Sequence, residues 1–78
     1  MSKLSAMDAA QIAKNYFNET VGKRWGVTVE EAEAKNGDWT VVVSYFEDVF
    51  SPTKNFKVIT IDAASRSVKS MKTRKADS

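Results

Sequence analysis

Cysteine and histidine are both missing from this sequence. Without thiols there is no disulfide to staple a thin core, no thiolate zinc site and no cysteine nucleophile. Without imidazole, the usual proton-transfer group at neutral pH and a common metal ligand go as well. Proline occurs once and glycine three times in 78 residues, so the chain is neither a flexible linker nor a low-complexity segment. No apolar run approaches the roughly 20 residues that a helical membrane span needs. The opening Met1-Ser2-Lys3-Leu4 lacks the apolar stretch of an export signal. Taken as complete, the chain is expected to be cytoplasmic.

What is present is the composition of one folded domain over residues 1–78: apolar residues are 42%, charged residues 28%, and the net charge is only +2. Ser5 followed by Asp8 resembles a capping box with Asp in the Glu position. From Ala6 to Thr20 the residues Ala9, Ile12, Ala13, Tyr16 and Phe17 fall on one helical stripe, with Gln11, Lys14, Asn15, Asn18 and Glu19 opposite. Gly22 is placed to close that helix with a positive φ.

Beyond it the period changes to two. Trp25 to Lys35 predicts a strand whose phase slips between Val29 and Ala32, which a bulge near Glu30-Glu31 explains; a short helical turn through 30–35 is the alternative. Asn36-Gly37 follows, the strongest local signal for a type I′ hairpin. Trp39 to Phe46 predicts the second strand, Asn55 to Asp62 the third and Ser67 to Thr73 the fourth, with Glu47 to Lys54 as a loop and Arg74 to Ser78 as a frayed tail. The expected fold is α+β: an N-terminal helix on one face of a four-stranded antiparallel meander, α-β-β-β-β.

The run Ala9-Ala10-Gln11-Ile12-Ala13-Lys14-Asn15-Tyr16-Phe17, the strand Asp38-Trp39-Thr40-Val41-Val42-Val43, and the hairpin from Phe56 to Val68 with Asp62-Ala63-Ala64-Ser65-Arg66 at its turn together resemble PepSY-like domains. Arg66 stands where that family usually has Gly, so the turn is expected to hold Arg66 in the left-handed region or to differ. The resemblance implies a role in restraining peptidases. A similar order, with a Trp strand, a Pro-containing loop and a basic last strand, is found in the gas vesicle protein O group, which implies an assembly accessory.

Three sets of residues invite a functional reading. Glu30, Glu31 and Glu33 cluster, and Glu47 adjoins Asp48, but paired carboxylates do acid–base work only where a pocket drives their pKa values apart, and no nucleophile stands at recognisable spacing. A calcium site at Glu47-Asp48 would need more oxygen ligands than the loop offers. No catalytic residue, metal site or cofactor is therefore expected. Arg66, Lys69, Lys72, Arg74 and Lys75 form a basic set that would suit nucleic acid or an acidic ligand; against that, no aromatics interleave with them.

The third set follows from the alternation. If the helix covers Trp39, Val41, Val43, Ile59 and Ile61, then Val42, Phe46, Phe56 and Val58 point the other way. A sheet covered on one side ordinarily turns polar residues to the other. An apolar second face predicts a contact surface for a protein partner or a second copy of the chain. The leading expectation is a non-catalytic binding or assembly module. Nucleic-acid binding is the alternative, and a peptidase-inhibitor-like domain presenting the 47–54 loop is a further one.

Overall fold

Ser5 starts the helix by the predicted reciprocal bonding. Its hydroxyl accepts the Asp8 N–H at 3.1 Å, and Asp8 Oδ2 accepts the Ser5 N–H at 3.3 Å, so two backbone donors that a helix start leaves orphaned are satisfied. In the computed structural model, which describes residues 4–50 and 52–74, helix α1 spans Ala6–Thr20. The Val21 N–H bonds Phe17 O at 2.8 Å, and Gly22 follows at φ +90°, a conformation in which glycine ends a helix without steric cost. Ala9, Ala13 and Phe17 are buried, and the two alanines let the helix backbone lie close to what it covers.

Strands β1 (Trp25–Lys35), β2 (Asp38–Phe46), β3 (Asn55–Asp62) and β4 (Val68–Arg74) form one antiparallel sheet in the order β1-β2-β3-β4. The protein is thus an α+β meander with one helix packed on one side. Between β1 and β2, Asn36 and Gly37 both have positive φ, 52° and 81°, as a type I′ turn requires. The phase slip in β1 is a bulge: Val29 pairs with Val43 and Glu31 with Val42, leaving Glu30 as the extra residue. The bulge returns Ala32 opposite Val41, on the helix side.

The β3–β4 turn is pinned by Asp62. Its carbonyl accepts the Arg66 N–H at 2.7 Å and its Oδ1 the Ala64 N–H at 2.9 Å. The Ala64 amide, ahead of the Ser65 contacts, holds the Asp62 carboxyl below its ordinary value. Arg66 sits at φ 63°, a left-handed conformation that costs a side-chain-bearing residue roughly 1 kcal/mol. Strand β4 lies one residue later than Ser67–Thr73, so Arg74 belongs to the sheet and not to a tail. A strand residue there has a fixed partner, Phe56. Residues 75–78, the rest of the expected tail, lie outside the described residues.

Alternation decides the core. Val41, Val43, Tyr45, Ile59 and Ile61 are buried together with Leu4, Ala9, Ala13 and Phe17, and full burial of each large apolar side chain contributes about 1.5–3 kcal/mol. The Phe17 and Tyr45 rings lie 5.0 Å apart at a 53° tilt, within the favourable range for aromatic pairs. Burial there, reinforced by the neighbouring Glu47, pushes the Tyr45 phenol above its ordinary pKa. Among the described residues no helix is long and apolar enough to cross a membrane.

Candidate functional site

Directly opposed residues of antiparallel strands point to the same side of a sheet. Away from α1, the register therefore lays out transverse rows. One is Glu31, Val42, Val58 and Lys72; the next is Thr28, Ser44, Phe56 and Arg74. Val42, Phe46, Phe56 and Val58 thus share the face opposite the helix, as the alternation predicts. In these two rows the central strands carry Val42, Ser44, Phe56 and Val58, the β1 edge carries the Glu31 carboxylate and the β4 edge carries Lys72 and Arg74; nearer the β1–β2 turn the same face carries Asp38 and Asp62 on the central strands.

That face is more covered than its composition implies. Val42 is only 5% exposed and Ser44 not at all, while Phe46, Phe56 and Val58 are half-buried. Over Ser44 the cover comes from Glu30 of β1 and Lys54 of the β2–β3 loop. Ser44 Oγ donates to Glu30 Oε2 at 2.6 Å, and Lys54 Nζ reaches the same oxygen from the β2–β3 loop at 3.4 Å. The bulge at Glu30 is what turns this carboxylate over the central strands. The Ser44 hydroxyl first, and Lys54 second, hold the Glu30 carboxyl below its ordinary value. The Arg74 guanidinium stands 5.0 Å above the Phe56 ring, an attractive cation–π arrangement.

The Phe46 ring leans on Gly26. A Cβ at that glycine would come 3.1 Å from Phe46 Cδ2, and Gly26 has φ +59°. An aromatic ring laid over an edge glycine shields bare backbone.

The grouping of Ser44, Glu30 and Lys54 resembles the parts of an acid–base site, but the hydroxyl is sealed in the sheet, where no substrate reaches it. In the β2–β3 loop, Asp48 Oδ1 accepts the Phe50 N–H at 2.8 Å and Glu47 lies 3.5 Å from Arg24 Nε. Both carboxylates are thereby engaged within the chain. Among the described residues no group of three or more Asp and Glu converges as metal ligands.

The basic residues are spread along β4 and its turn. Arg66 is at the turn, Lys69 is a bulge residue, and Lys72 and Arg74 follow on the outer face; Lys75 lies outside the described residues. Lys69 is engaged by Asp38 at 2.9 Å, which raises its pKa, and Arg74 by Phe56. The same face carries Glu31, Glu33, Asp38 and Asp62 by register. Alternating signs of this kind make a poor track for a phosphate backbone.

Sequence reasoning missed three exposed apolar residues at one end of the sheet and in the β2–β3 loop. Phe50 is 90% exposed, Val49 59% and Trp25 56%. Trp25 pairs with Phe46 at the end of β1, and Lys23, Arg24 and Trp25 line a depression of about 300 Å³. The available signal was two apolar residues inside a polar loop, directly after an Asp able to form a side-chain turn. No family model, no curated protein and no solved structure matches the chain.

Proposed function

We propose that the chain is a non-catalytic binding or assembly module whose contact surface is the sheet face away from α1. The observation that carries the reading is the layout of that face. An apolar centre of Val42, Val58, Phe46 and Phe56 is bordered by the Glu31 carboxylate on one edge and the Lys72 and Arg74 cations on the other, with no helix or further strand laid across it among the described residues. An apolar centre within a charged border is the anatomy of a protein contact. The resemblance to PepSY-like domains and to the gas vesicle protein O group points the same way, toward a small domain that restrains or helps to assemble another protein.

A photo-crosslinking residue at position 58 tests this, with one at Lys14 on the helix as control. The expected result is a protein adduct from position 58 alone, reproduced with the purified partner and abolished by Phe56→Glu. Equal capture from both positions, or none from either, overturns the reading.

One observation favours a second reading. The side-chain turn at Asp48 holds Phe50 out into solvent, the posture of a loop that inserts into a partner's pocket. Phe50→Ala would then abolish capture where Val58→Glu leaves it intact.

A further inference from the structure

The row Glu31–Val42–Val58–Lys72 has a property that depends on direction. Read backwards, it is complementary to itself: carboxylate meets ammonium at both ends, and valine meets valine twice. Two such faces related by a two-fold axis parallel to the strands would set β1 of one copy over β4 of the other. Each Glu31 then opposes Lys72 of the second copy, and each Val42 opposes its Val58. An axis across the strands would instead stack Glu31 on Glu31 and Lys72 on Lys72, which is unfavourable, whereas the parallel axis brings like charges together only at Asp38 over Asp62, where Lys69 already pairs with Asp38. We propose that the occupant of the outer face is a second copy of this chain, packed face to face in that orientation. The inference rests on the reading of this face as a contact surface and names its partner.

Two further observations support it. Among the described residues, neither Glu31 nor Lys72 has an ion-pair partner within the chain, whereas Glu30, Asp38, Glu47, Arg24, Lys54 and Lys69 are all paired. Glu31 and Lys72 are thus among the charges of the sheet that no ion pair within the chain engages, and the two-fold axis brings these two together. The edges of the sheet, the other route to self-association, are obstructed. β1 is bulged at Glu30 and again between Trp25 and Thr28, and β4 at Lys69, and bulges with edge lysines discourage strand-to-strand pairing. A net charge of only +2 leaves little repulsion between copies.

The area sets the strength. Four strands spaced about 4.8 Å apart and five or six residues tall present about 400 Å² per copy. That falls below the size of stable interfaces and belongs to the transient class, so association is expected only at high protein concentration.

Sedimentation velocity from 5 µM to 1 mM in low salt tests the proposal, with circular dichroism to confirm that each variant is folded. The weight-average mass is expected to climb from 8.7 kDa toward twice that value. Glu31→Lys and Lys72→Glu, both on exposed side chains, are each expected to weaken association about tenfold, and the two together in one chain to restore it. A mass that stays at the monomer value over the whole range overturns the second copy as partner. In that event, a foreign adduct at position 58 would still uphold the contact face itself. A double variant no stronger than either single one overturns the two-fold arrangement.

Discussion

The two faces of this one sheet are buried by different means. Under α1, Val41, Val43, Ile59 and Ile61 are covered by side chains that another element brings. On the opposite face Val42 and Ser44 are also buried, and over Ser44 the cover is a charged pair, Glu30 from the edge strand and Lys54 from the β2–β3 loop. The aliphatic stems of Glu, Lys and Arg can exclude water from apolar neighbours while their ends stay wet. A strand pattern shows which residues share a side; it does not reveal that the second side is roofed by its own borders. The first kind of cover is rigid and permanent. The second consists of solvated side chains, which a partner could displace at modest cost.

The largest expected effect is on the helix side. Phe17→Ala removes a fully buried ring and its contact with Tyr45, and chemical denaturation should show a loss of about 3–5 kcal/mol. Val42→Ala on the other face should cost about 1–2 kcal/mol by the same measurement, because its neighbours can close over the gap. An equal loss at the two positions would mean that the faces are equally rigid. Arg66→Gly relieves the left-handed strain at the β3–β4 turn and should stabilise by about 0.5–1 kcal/mol, leaving both faces unchanged. Ser44→Ala should have the most narrowly pH-dependent effect, a loss of stability present at neutral pH that fades in acid. The Glu30 carboxyl is depressed in the folded state, so its contribution is present above the ordinary glutamate value of 4.5 and lost as pH falls through the lower folded value. Removing the Ser44 hydroxyl should flatten that limb of the stability profile and return the Glu30 titration, followed by NMR, toward its ordinary position.

Much of the fold was legible because its signals are local. Ser5 and Asp8 lie three residues apart, Asn36-Gly37 needs only its own backbone, and the phase slip that marks the Glu30 bulge shows in Ala32 and Ala34. The apolar centre of the outer face was legible too, from the alternation of β2 and β3. Its cover was not. Lys54 and Glu30 are 24 residues apart, and Arg74 reaches Phe56 only in a register shifted by the extra residue Lys69. Such contacts depend on how strands align, which no single segment encodes. The sequence pattern marks Arg74 as tail for the same reason: a strand on the edge of a sheet can be polar along most of its length, so the pattern fades before the strand ends. The exposure of Phe50 is not legible in the sequence, because a phenylalanine in a loop ordinarily finds cover.

Every strand in the sheet bonds only to its neighbours in the chain. Loop closure is therefore inexpensive at each step, and the first hairpin needs a turn of only two residues. Hairpins of this kind form in about 1–10 µs, and a topology made of them belongs among the faster-folding sheets. A denatured chain is accordingly expected to spend little time with the backbone groups of its valine-rich strands unpaired.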